Sequence, residues 1–230
     1  MLVRDMAIGL VQGCNVQLRE NKGLEFEPSR EGTVYGKWYD IATGTTCKWM
    51  KQYKDKFNMG TLVLGPGMTS NQISTTSTRL RQGVCTQVSG EYQKTDIPGK
   101  YTYYNPSWDV TINSYVVHTN YEEYAIILMQ KKSSFGLTIT AKLYGRSPEL
   151  REGLIVDFRQ FAQEMGIPED SIFIMINKGR ENAAWLCDGI PPRVPPGIGV
   201  PLSLPDPQAW VPFTLYCCDR PSNPLQHTCR

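Results

Sequence analysis

The residue best placed to do chemistry is Cys47, with Lys48, Lys51, Lys54 and Lys56 following in close succession. An electropositive setting lowers a thiol's pKa and raises its thiolate fraction. An exposed thiolate can reduce oxidants, be oxidised to a sulfenic acid and beyond, or attach covalently to electrophiles. The alternative is a structural cysteine, buried or paired, and the residues alone leave both readings open. Cysteines stand at 14, 47, 85, 187, 217, 218 and 229, an odd number that leaves at least one unpaired within a monomer. No Cys-x2-Cys pair occurs, and His118 and His227 are the only histidines, which argues against a zinc site.

Composition bounds the rest. At 230 residues and 40% apolar content, the chain is long enough for one sizeable domain or two small ones with a normal core. A formal charge of +2 argues against nucleic acid as a main partner, because that partner calls for a concentrated basic face. No stretch approaches the ~20 apolar residues that span a bilayer. The N-terminus does not read as a secretory signal. Arg4 and Asp5 interrupt it, and Met6–Val11 is shorter than a usual apolar region of roughly 7–15 residues.

Three regions must position these groups. Residues 1–33 are polar and read as irregular. Residues 34–178 carry the strand signals: Thr61–Leu64, Gln72–Arg81, Cys85–Gln93, Tyr101–Tyr104, Trp108–Thr119, Tyr124–Lys131 and Leu137–Tyr144, broken by turn residues at Gly65-Pro66-Gly67, Gly90, Pro98-Gly99 and Gly136. Val110, Ile112, Ser114 and Val116 share one face of a strand, as do Leu137, Ile139, Ala141 and Leu143 on another. With the strand around Trp38 this makes eight antiparallel strands, an up-and-down barrel that encloses room for one small ligand. One helix follows. Ser147 reads as its N-cap and Pro148 as N1. Leu150, Leu154, Phe158, Phe161 and Met165 form its apolar stripe, Gly166 its left-handed stop. Ile172–Ile176 reads as a last short strand. Residues 179–230 hold ten of the sixteen prolines and four of the seven cysteines, and are expected to be disordered.

The barrel's ends carry a second signal. Gly36-Lys37-Trp38-Tyr39 opens the strand region and Leu143-Tyr144-Gly145-Arg146 closes it. In a small barrel a first-strand Trp can lie under an Arg from the last strand. The guanidinium then stacks on the indole and bonds to nearby carbonyls, worth roughly 0.5–2 kcal/mol beyond burial. With the intervening strands and the helix, this arrangement resembles a lipocalin: all-β with one helix packed on the barrel wall.

Seven segments narrow the resemblance to the alpha-1-microglobulin family, the lipocalin part of the alpha-1-microglobulin/bikunin precursor. They are Gly36-Lys37-Trp38-Tyr39, Thr45-Thr46-Cys47, Thr61–Gly65, Gly83-Val84-Cys85, Ser114–Ile126, Thr138–Arg146 and Gly166–Phe173. The resemblance spans roughly Tyr35–Gly179. It implies a secreted protein that binds small hydrophobic ligands, haem and radicals. It also implies weak thiol-dependent reductase chemistry at Cys47 over the open barrel mouth, assisted by Lys131 and Lys142, which also hold ligand; the residues alone leave open that either lysine is a solvated surface residue. No cofactor is required, although haem or a covalently bound chromophore is implied as cargo, and disulfide linkage to plasma proteins is implied as a partnership.

Departures from the family pattern matter as much. Gln82 and Asn105 stand where two further family lysines do. Lys132-Ser133-Ser134-Phe135-Gly136 lacks the histidine of the family's haem loop, and His118 reads as a structural histidine. The family partner of Cys85 is replaced by Glu181; Cys187, six residues later, is a candidate substitute if the tail folds back, and the pairing stays open. No Kunitz pattern follows Gly179, so protease inhibition does not carry over. Asn105-Pro106-Ser107 is not a glycosylation sequon, because of its proline. Three functions remain in competition: a redox-active binding protein, a passive carrier with Cys47 uninvolved, and a disulfide-linked interaction module.

Overall fold

The computed structural model describes residues 27–52, 57–81, 84–106, 109–134 and 136–175. The expectation for the 179–230 tail, like most of the 1–33 segment, lies outside them. A 3-10 helix, Pro28–Val34, leads into strand β1, Gly36–Thr45. A short helix, α1 (Lys48–Gln52), follows, which the sequence reading did not anticipate. The strands continue as β2 Thr61–Pro66, β3 Gln72–Arg81, β4 Val84–Lys94, β5 Lys100–Asn105, β6 Val110–Thr119, β7 Tyr124–Ser133 and β8 Gly136–Gly145. Helix α2 (Glu152–Glu164) and the short strand β9 (Ile172–Ile174) complete the described chain.

Each strand pairs antiparallel with the next, and β1 closes the circle. Its first half, Gly36–Tyr39, bonds to β2, while Tyr39–Thr45 bonds to β8 along the other edge. The edge that β2 leaves open beyond Tyr39 is taken by β9, through Ala42–Gly44. The result is the expected eight-stranded barrel, closed through β1. A register shift between Asp40 and Ala42 inserts Ile41 as an extra residue. Such a bulge changes the phase of the side chains along a strand, so Trp38, Asp40, Thr43 and Thr45 all fall on the inner face.

Helix α2 covers the outer wall. Leu154, Phe158, Phe161 and Ala162 pack with Ala42, Ile126, Leu128, Ala141 and Leu143 in the largest apolar cluster. The helix begins later than the sequence implied: Arg151 is the N-cap, and Ser147 and Pro148 precede the helix. The cause is tertiary. Leu150 lies against Gly145, where an added Cβ would come within 3.0 Å of it, so the chain wedges in one apolar residue before it turns helical. The C-terminal end behaves as expected. Gly166 takes φ +79, its N–H donates to the Gln163 carbonyl, and the Ile167 N–H donates to that of Ala162. This paired arrangement satisfies carbonyls the helix cannot. Gly166→Ala is expected to cost about 1 kcal/mol, because a Cβ is disfavoured at positive φ, and to lower Tm by about 2–4 °C. An unchanged melting curve would show that the stop does not need glycine.

One end of the barrel is sealed. The Arg146 guanidinium lies 3.7 Å from the Trp38 ring centroid. It donates to the carbonyls of Tyr121 at 3.1 Å, Lys37 at 3.1 Å and Thr33 at 2.6 Å. The Trp38 indole N–H donates to the Val34 carbonyl at 2.8 Å. Tyr121, at φ 67, belongs to a turn in which the Thr119 hydroxyl accepts its N–H and the Asn120 side chain accepts those of Glu123 and Tyr124. That turn is what aims the Tyr121 carbonyl at Arg146.

Candidate functional site

Alternation gives each strand two faces, and the position of α2 decides which one is inside. On β8, Ala141 and Leu143 meet the helix, so Thr138, Thr140, Lys142 and Tyr144 face the interior. Directly paired residues share a face, which carries the assignment around the barrel: Lys131 opposes Thr138 and Ile112, and Ile112 opposes Tyr103. The interior is apolar towards the sealed end, where Trp38, Leu62, Ala125 and Tyr144 pack together. A second apolar group contains Val110, Ile112 and Met129, with Tyr92, Tyr103 and Ile127 against it. Burial pushes the Tyr92 hydroxyl up to about 12, so it stays protonated and able to donate.

Between these groups sits a buried charge cluster. Lys142 Nζ and Arg79 Nη2 each lie 2.6 Å from the same oxygen of Asp40, and the Thr43 hydroxyl donates to the other at 3.4 Å. Burial alone would raise the Asp40 carboxyl, but Lys142 and Arg79 outweigh it and hold the group below its ordinary value. The same surroundings, burial first and the Asp40 charge second, push the Tyr144 hydroxyl well above its usual value. Gly60 makes room for the arrangement: a Cβ there would stand 2.7 Å from Arg79 Cγ and 2.9 Å from the Thr78 carbonyl.

The predicted site residues do not converge. Lys131 and Lys142 both face the interior and both are buried, so neither is a solvated surface lysine. Cys47, a thiol with 3% exposure, lies at the opposite end of β1 from Trp38. It packs with Met50, Met59 and Phe173 in the cluster that holds the helix, not on an exposed rim. Its N–H donates to the Thr45 hydroxyl and its carbonyl accepts from Lys51. Lys48 is exposed, and Lys51 is tied to Asp170 at 2.5 Å; Lys54 and Lys56 lie outside the described residues. The His118 ring meets Phe161 of the helix edge-on at 6.2 Å, and burial lowers its pKa. It therefore faces away from the interior, the structural role expected of it.

Cys85 lies on the outer face of β4, opposite Leu80, and is a disulfide cysteine. Cys187, its candidate partner, lies outside the described residues, as does Gln82; Asn105 ends β5. The interior residues that sequence reasoning missed are Asp40 and Arg79. The signal was present in part: Asp40 stands two residues after Trp38, in the same strand phase.

A protein-family model described as the lipocalin / cytosolic fatty-acid binding protein family matches residues 35–179. This chain belongs to that family. Protein AMBP of Sus scrofa is 52% identical to it over 166 residues, covering 72% of this chain and 47% of that protein. Protein AMBP of Pleuronectes platessa is 41% identical over 145 residues, 63% of this chain and 41% of that one. The chain thus spans less than half the length of these relatives. The matched part is the alpha-1-microglobulin lipocalin, as the seven segments implied. Among solved structures, the siderocalin Ex-FABP superposes with a TM-score of 0.56 at 21% identity, covering 64% of this chain and 97% of that one, a likeness of fold. The lipocalin barrel is a binder of small hydrophobic ligands. Among the described residues, no helix is long and apolar enough to cross a membrane.

Proposed function

We propose that this chain is a secreted carrier that holds one small, largely apolar ligand inside the barrel, with Cys47 outside the binding step. The observation that carries the reading is the division of labour between faces. The inner face presents Trp38, Leu62, Ile112, Ile127 and Met129 among hydroxyls, whereas Cys47 packs with the residues that seat the helix. Secretion rests on the alpha-1-microglobulin resemblance and on the oxidised state of Cys85, since disulfides persist in oxidising compartments. The Cys85–Cys187 pairing is part of the same proposal.

Reductase chemistry enters as a second function of the same protein, gated by local opening. Oxidants, radicals or a plasma protein disulfide reach Cys47 only when α1 lifts away. Lys131 and Lys142 act on ligand in the interior, not on the thiol. Haem would enter this interior as an apolar cargo without a histidine ligand from the described residues, because their one histidine, His118, points at Phe161. A covalently held chromophore would fall to the two interior lysines.

Two measurements test the reading. Titrating an environment-sensitive apolar fluorophore into the protein and into Cys47→Ser should give equal affinities; a tenfold loss in the variant would place the thiol in the binding site. Disulfide reagents should modify Cys47, read as the difference between protein and Cys47→Ser, about 100-fold more slowly in native than in denaturing conditions, the effect of an opening that costs about 3 kcal/mol. Equal rates would mean that the thiol is exposed in the working protein and would restore the redox-first reading.

A further inference from the structure

The barrel wall is not equally closed all round. β3 pairs with β4 from Gln72–Gln93 to Arg81–Val84, and β5 pairs with β6 from Lys100–Tyr115 to Asn105–Val110. Among the described residues, β4 and β5 pair at Gln93–Thr102 and Lys94–Tyr101 alone, beside the hairpin that joins them. At that end both strands are pinned. Glu31 of the 3-10 helix accepts from Lys94 at 2.7 Å and from the Tyr101 hydroxyl at 2.9 Å. Beyond it, Val84–Tyr92 of β4 and Tyr103–Asn105 of β5 share no ladder with each other. The wall is split there, from the sealed end towards the opposite one. Side chains close the split where the backbone does not. The Tyr92 and Tyr103 rings pack with centroids 5.3 Å apart, tilted by 34°. Tyr92 is anchored by a hydrogen bond with Ser114 on β6. Gly90, on the same face of β4 as Tyr92, leaves space beside the Tyr103 ring: a Cβ there would stand 3.9 Å from Tyr103 Cε2. Behind both rings lie Val110, Ile112 and Met129 of the apolar interior, and Ile112 is the ladder partner of Tyr103. Parting a fully paired wall breaks a row of backbone hydrogen bonds, whereas this split asks for no more than a side-chain rotamer change, a far faster event.

We propose that ligand enters and leaves the barrel sideways, through the split between β4 and β5, with the Tyr103 ring beside Gly90 as the gate. This rests on the carrier reading and adds to it a route and the residues that control it. Tyr92, held by Ser114, is the fixed side of the gate, and Tyr103 is the ring that turns. The ligand then passes directly onto Val110, Ile112 and Met129, and neither the Trp38–Arg146 seal nor α1 has to move.

The test is stopped-flow mixing of the full-length protein with N-phenyl-1-naphthylamine, a neutral apolar fluorophore, which gives association and dissociation rates together. Gly90→Val fills the space beside the ring with a residue that suits a strand, and its Cβ meets ordinary contacts, 3.6 Å to Thr75 Oγ1 and 3.9 Å to Tyr103. It should slow both rates by about tenfold and leave Kd within about twofold, because a gate changes the barrier and not the bound state. Tyr103→Ala should raise the association rate. Unchanged rates in both folded variants would overturn the gate while leaving the carrier reading intact. A Gly90→Val protein that loses affinity with its association rate unchanged would put Gly90 against the bound ligand, which also overturns the gate. No binding of the fluorophore by the unmodified protein would overturn both readings. If Gly90→Val does not fold, the association rate of Tyr103→Ala decides.

Discussion

Asp40→Ala is expected to destabilise the protein by about 3–5 kcal/mol, the cost of leaving buried charges without their partner. For a domain of this size that is a fall in Tm of about 10 °C or more. The reason is the geometry of the cluster: Lys142 and Arg79 converge on one oxygen of a carboxylate that is 1% exposed. Removing the anion leaves two cations close together in the barrel interior without the carboxylate they share. Lys142→Met added to Asp40→Ala should recover part of the loss, because a buried cation without an anion costs more than an apolar side chain of similar length. Acid should reveal the same interaction. The folded Asp40 carboxyl titrates below its unfolded value of about 3.9, so near and below that pH the unfolded chain binds more protons than the folded one. The stabilisation is complete above pH about 4–5 and is lost as pH falls through the folded value. Thermal melts of the two proteins between pH 7 and pH 2 should therefore converge on acidification. A Tm for Asp40→Ala within about 2 °C of the parent at pH 7 would mean that the cluster is hydrated and carries little energy.

Most of the barrel is legible in the sequence because its strands alternate. β3 runs Gln72–Arg81, where the sequence places it, and β8 extends the expected Leu137–Tyr144 by one residue at each end. The helix start is not legible. Ser147-Pro148-Glu149 has the local chemistry of a helix N-terminus, yet contact between Leu150 and Gly145 delays the first turn to Glu152. The inside of the barrel is half legible. Alternation puts Lys142 with Thr138, Thr140 and Tyr144, but it cannot say which face is inner until Phe158 and its neighbours choose the opposite one. The bulge at Ile41 has no glycine or proline to announce it, and it is what brings Asp40 and Thr43 onto the same side. Cys47 shows the limit most clearly. Its neighbours in sequence are lysines, which suggest exposure, whereas its neighbours in space include Met59, Phe173 and Met50. Burial of that kind comes from residues distant in the chain, and no local pattern encodes it.

Trp38→Ala should match Asp40→Ala in size, by a different route. Truncating a fully buried tryptophan costs about 3–5 kcal/mol through lost burial and the cavity left behind, and Trp38 is 1% exposed. Here the indole also has two specific jobs. Its N–H holds the Val34 carbonyl, which fixes the 3-10 helix across the barrel's end, and its face supports Arg146. Arg146 in turn ties Thr33, Lys37 and Tyr121 together through their carbonyls. The two residues therefore act as one seal, and their losses should not add: the double variant should be less unstable than the sum of the singles by about 0.5–3 kcal/mol. Arg146→Met should cost less alone, about 1–3 kcal/mol, because the methionine retains part of the apolar contact with the ring. The measurement is a double-mutant cycle in urea, with far-UV circular dichroism to confirm that the barrel forms in each variant. Strict additivity would show that Trp38 and Arg146 stabilise independent parts of the structure. The location of Trp38 adds a second consequence. It packs with Leu62 and Tyr144 on the inner face, in the interior that the carrier reading gives to the ligand, so ligand entry should change its fluorescence while the seal behind it stays shut.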